Sequence, residues 1–155
     1  KEQAARAFHV DSLATMLAAF QIAGPSLLEL HTWRWIYANP TATPEQLRDE
    51  VLAIAERLWT RFYEPHFGKD PYRILAAYQH MVGHPLYLAD YTIGHVMSHQ
   101  IRSFLNGRDL AAETKRITSI GSVTPDAWMR KAVGEPLSIE PLARNAAAAL
   151  AALAP

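Results

Sequence analysis

Residues 79–100 read "QHMVGHPLYLADYTIGHVMSHQ" and hold four of the chain's seven histidines. His80/His84 and His95/His99 are each spaced i, i+4. On an unbroken helix each pair would share one face, where two imidazoles can reach one metal ion. Two residues argue against an unbroken helix. Gly83 lies inside the first pair and Pro85 follows His84 directly. Proline has no N–H and crowds the turn before it. The reading is therefore a helix that stops at Gly83 and a second that opens at Pro85 and runs to Leu105, before Asn106-Gly107. His80 then stands near a helix end and His84 in a turn.

Helix signals continue on both sides, and no alternating strand pattern competes with them. Residues 2–38 are rich in Ala, Leu and Gln, with a kink or break expected at Gly24-Pro25. In "TPEQ", Thr43 is an N-cap, Pro44 suits the first helical position and Gln46 completes a capping box. That helix should reach about Tyr63. "KDPYR" repeats the start signal at Asp70-Pro71, predicting a helix up to Gly83. A short helix is expected up to Ile120-Gly121. Another runs from Thr124-Pro125 to Gly134, and an alanine-rich one begins at Ser138 or Pro141. The expected fold is all-α: one irregular multi-helix bundle of about seven helices spanning residues 1–155.

On a helical wheel at about 100° per residue, the helix after Pro85 has two faces. Leu86, Ile93, Val96, Met97, Ile101 and Phe104 form the apolar one, which should face the core. Tyr87, Tyr91, His95, Ser98, His99 and Arg102 form the other. A solvated face would carry Lys and Glu. Tyrosine, histidine and serine suit either the wall of a polar cleft or buried groups that join helices. Trp33, Trp35 and Tyr37, and Trp59, Phe62 and Tyr63, are expected in the core.

Composition narrows the function classes. Fifteen basic residues balance fifteen acidic ones, so there is no electrostatic footprint for nucleic acid or an anionic membrane. Without cysteine there is no disulfide or thiolate metal site. No apolar run is read as approaching the roughly 18 residues of a membrane span. The chain begins inside what reads as a helix, and an amino-terminal part of a larger protein is expected before it. A metallopeptidase helix of the His-Glu-x-x-His type needs a glutamate after its first histidine to activate water. Here that position is Met81.

The segment "HMVGHPLYLADYTIGH" resembles one in the oligoendopeptidase-F-like and thimet-type zinc peptidases, close to H-x-x-x-x-P-F-Y-Y-I-D-Y-x-I-G-Q. His80, Pro85, Tyr87, Asp90, Tyr91, Ile93 and Gly94 match it. Leu88 replaces the second tyrosine and His95 the glutamine. "GSVTP" and "AVG" resemble that family's carboxy-terminal end. The resemblance implies the carboxy-terminal half of a neurolysin/angiotensin-converting-enzyme-like fold, with zinc bound by upstream residues that this chain does not contain.

By the same resemblance the segment is the cleft wall opposite the metal. His80 binds substrate and Tyr91 donates to the oxyanion. Tyr87 is a further substrate contact, with His84 and His95 as neighbouring candidates. The implied partners are a peptide substrate and the missing half of the same protein, and the chain alone is expected to be inactive and to hold no metal. Two other readings stay open: a non-catalytic helical module that kept the fold, and an independent metal site of His80, His84, His95 and His99.

Overall fold

The computed structural model describes residues 2–69 and 72–153. Among them are eight α-helices, one 3-10 helix and no strand. The helices are α1 (Glu2–Ala38), α2 (Pro44–Phe62), α3 (Glu64–Phe67), α4 (His80–Gly83), α5 (Leu88–Leu105), α6 (Leu110–Thr118), α7 (Pro125–Val133) and α8 (Glu140–Leu153). The 3-10 helix covers Tyr72–Ala76. The all-α reading is thus correct. The chain forms two compact units: Phe20–Tyr91, and Lys1–Ala19 with Thr92–Pro155.

Several boundaries follow from local chemistry. Thr43 Oγ1 accepts from the Gln46 amide at 3.3 Å, and Gln46 Oε1 accepts from the Thr43 amide at 2.9 Å, closing the capping box of α2. Gly134 ends α7 in the left-handed region at φ 86°, where only glycine is unstrained. Thr124 occupies the N-cap position of α7 but makes no capping hydrogen bond with its side chain.

Other boundaries differ from the sequence reading. α1 is continuous through Gly24-Pro25. The Ser26 hydroxyl donates to the Ile22 carbonyl at 2.8 Å, close to the point where Pro25 has no N–H to give. The helix expected from Asp70-Pro71 to Gly83 is split into the 3-10 helix and α4; Asp70 and Pro71 lie outside the described residues.

The core of unit Phe20–Tyr91 is built on α2. Ile54, Ala55, Leu58 and Trp59 recur at helical spacing and pack with Leu28 of α1 and Leu75 of the 3-10 helix. Each large apolar side chain so buried contributes about 1.5–3 kcal/mol. Tyr63 joins them, with its hydroxyl donating to the Phe20 carbonyl at 2.6 Å. The Trp59 indole donates to the Gly68 carbonyl at 2.8 Å. The two aromatic clusters therefore part company: Trp59 and Tyr63 are core, whereas Tyr37 is 74% exposed.

In the other unit Ala19, Val96 and Leu142 form a small core with Met16 and Leu137. Gln100 is buried there and bridges two segments. It donates to the Pro136 carbonyl at 2.8 Å and accepts from the Ser138 amide at 3.0 Å. By length and composition alone α1 is apolar enough to cross a membrane, unlike the sequence reading, which found no run of that length; 28% of its most apolar window is buried. Val10 and Leu17 on it are more than half exposed.

Candidate functional site

Four of the five sequence-predicted site residues converge within unit Phe20–Tyr91. α4 is a single turn, closed by the His84 amide donating to the His80 carbonyl at 2.8 Å. Met81 packs against the unit's core, which fixes the turn that carries His80. Residues 84–87 then reverse the chain, with the Tyr87 amide donating to the His84 carbonyl at 3.1 Å. α5 begins at Leu88, which is 1% exposed and anchors its first turn. Tyr91 follows Tyr87 by one helical turn.

The result is a cluster of four rings. Tyr87 and Tyr91 meet edge to face at 5.2 Å between centroids. His80 lies 5.9 Å from Tyr91, also edge to face, and 6.2 Å from Tyr87, stacked. His84 lies 5.8 Å from His80 and 6.1 Å from Tyr87. Such separations are those of mutually attractive ring pairs. The cluster faces outward: Tyr87 is 44% and Tyr91 39% exposed. Desolvation pushes the Tyr91 phenol above its ordinary value, and the hydrogen bond and charge interaction with Tyr87 push it further. At neutral pH it is a protonated donor.

The turn beneath the cluster is strained. Leu86 has φ 64°, in the left-handed region that costs a leucine roughly 1–2 kcal/mol. Its amide donates to the carboxylate of Glu29, which is 3% exposed. The sequence reading did not single out Glu29. The available signal was a lone acid in the apolar run "SLLEL" of α1.

The wheel places α5 only in part. Leu86, assigned to its apolar face, is half exposed because it lies in the turn outside the helix. His99, assigned to the polar face, is buried, as are Leu88, Val96 and Gln100. Ile93, Met97 and Phe104 are half-buried. The buried stripe therefore sits roughly a quarter-turn round from the apolar one.

His95 belongs to the other unit, together with His99. There His99 stacks on Phe8 at 6.3 Å, and its Nδ1 lies 3.0 Å from the Asn145 amide nitrogen. A neutral His99 with its proton on Nε2 accepts that hydrogen bond. The Arg102 guanidinium covers the other ring partner, Phe8, at 3.7 Å. An open groove of about 750 Å³, lined by Phe8, Ser98, Ile101, Arg102 and Asn145 among others, runs along this part of the unit.

Burial holds the His99 imidazolium pKa below 6.5, and the positive charges of Arg102 and His95 act the same way against the opposing pull of Asp11. The unfolded chain therefore takes up this proton first. The stability contributed by neutral His99 is fully present above about pH 6.5 and is lost as the pH falls through the folded value. The urea midpoint of the native chain is expected to drop between about pH 7.5 and 5 by more than that of His99→Gln, which has no proton to gain. Equal slopes would contradict this.

Among the described residues no group of three or more His, Cys, Asp or Glu side chains is placed to hold a metal ion. Among the described residues His80 and His84 form a pair of imidazoles, where a zinc site takes three or four ligands. No protein-family model matches the chain, and neither the curated proteins nor the solved structures give a significant match.

Proposed function

We propose that this chain supplies the substrate-binding wall of a peptide-hydrolysing cleft, within the zinc-peptidase fold that its sequence resembles. Tyr91 is the oxyanion donor, and His80, Tyr87 and His84 hold the substrate backbone. The observation that supports this reading is the meeting of those four side chains, from α4, the turn and α5, on one exposed patch. The set consists of hydrogen-bonding groups on flat apolar bodies, which suits a polypeptide backbone. In this reading the metal's ligands lie outside this chain, as the sequence resemblance implies. His95 carries no role in this proposal.

A phosphinic peptide, whose tetrahedral centre mimics the attacked carbonyl, tests the assignment on the 155-residue chain. Titration followed by NMR is expected to shift the ring signals of His80, Tyr87 and Tyr91, and to shift them less with the isosteric amide peptide. A group that stabilises the transition state prefers its analogue. Absence of any shift up to about 1 mM, the weak end of specific binding, would discard this reading and favour a non-catalytic helical module.

A further inference from the structure

We propose that Glu29 is the positioning residue of this patch. Its buried carboxylate sets the turn that joins the two histidines to the two tyrosines. The inference rests on the substrate-wall reading for its importance, but on geometry alone for its mechanism. A carboxylate removed from water is costly unless hydrogen-bonded, and Glu29 is 3% exposed in the middle of an apolar stretch. Its partner is the backbone amide of Leu86. The neighbouring Leu28 is fully buried in the core of the same unit, so the carboxylate projects from a rigid base.

The turn needs such a constraint. Leu86 sits at φ 64° and is half exposed, so packing of its own side chain does little to hold that conformation. A strained residue persists only where its surroundings over-determine it. Here the constraints are the Glu29 hydrogen bond to the Leu86 amide, the Tyr87 amide donating across the turn to the His84 carbonyl, and the buried Leu88 at the start of α5. His80 and His84 lie on one side of Leu86 in the chain, and Tyr87 and Tyr91 on the other. Relaxation of Leu86 to negative φ would swing one pair away from the other. The His80–Tyr87 and His84–Tyr87 contacts would open, whereas Tyr87–Tyr91 would survive at the start of α5.

Glu29→Met and Glu29→Gln test this in the 155-residue chain. Methionine keeps much of the length and removes the acceptor; glutamine retains an acceptor oxygen. In Glu29→Met the Leu86 amide should exchange with solvent roughly 10- to 100-fold faster, as loss of one hydrogen bond to a charged group implies. The nuclear Overhauser contacts from His80 and His84 to Tyr87 should vanish while Tyr87–Tyr91 remains. Glu29→Gln should restore the first set. So should Leu86→Gly in the Glu29→Met background, because glycine holds a left-handed turn without help.

Retention of the histidine–tyrosine contacts in folded Glu29→Met would overturn the proposal. Unprotected exchange of the Leu86 amide in the wild type would do so whatever the variants show. The two readings fail separately. If the contacts open but the wild type binds no phosphinic peptide, positioning stands and the substrate wall falls. If Glu29→Met keeps both contacts and binding, the wall stands and positioning falls.

Discussion

Replacing Tyr91 with phenylalanine is expected to lower turnover about 10²–10³-fold in a peptide hydrolase built on this wall, roughly 3–4 kcal/mol of barrier. The change removes one oxygen and leaves the ring, so the edge-to-face contacts with Tyr87 at 5.2 Å and His80 at 5.9 Å should persist. The raised phenol stays protonated at working pH and can donate to an oxygen that gains charge as the carbonyl is attacked. In the proposed role that hydrogen bond strengthens in the transition state relative to the bound substrate. The loss should therefore fall on kcat more than on KM. Steady-state kinetics on a peptide substrate decide the matter, with a thermal melt to establish intact folding. A folded variant with unchanged kcat would leave the sequence resemblance as a statement about fold only.

Gly24→Ala should be the most damaging small substitution in unit Phe20–Tyr91. A Cβ at Gly24 would lie 2.8 Å from ring carbons of Tyr63 and closer still to its hydroxyl. Tyr63 is 5% exposed, stacked on Trp59 at 5.3 Å, and tied to the Phe20 carbonyl. It has little room to retreat. Overpacking of this kind costs about 1–3 kcal/mol. Disturbing the Tyr63 hydrogen bond adds about 1 kcal/mol, which the better helix propensity of alanine offsets by a similar amount. The net loss is about 1–3 kcal/mol, a fall in melting temperature of several degrees for a chain of this size. Tyr63→Phe with Gly24→Ala should recover little, because the ring carbons alone already clash. A melting temperature unchanged by Gly24→Ala would mean that the ring does not occupy this position.

The same contact explains why the sequence misled at Gly24-Pro25. Both residues are helix breakers by local preference, yet α1 runs through them. Glycine at 24 leaves room for the Tyr63 ring, and that ring comes from 39 residues further along the chain. The penalty is local, whereas the compensation is long-range packing. The opposite error occurred at 70–83, where a start signal and a later glycine suggested one helix. Two short elements form instead, with Leu75 and Met81 turned onto the core of α2.

Capping boxes, proline at first helical positions and glycine stops act within four residues of where they stand, and their outcome was legible at Thr43, Gly107 and Gly134. The gathering of His80, His84, Tyr87 and Tyr91 was half legible. Tyr87 and Tyr91 share a helical face by spacing alone, but the histidines reach them only through a turn. That turn depends on a leucine in a conformation its own chemistry disfavours, held by a carboxylate 57 residues earlier in the chain. The burial of His99 likewise depends on Phe8 and Asn145, contacts that helical periodicity does not report. Periodicity states which side chains share a face. Which face is buried follows from distant segments whose apolar surface must be covered at the same time.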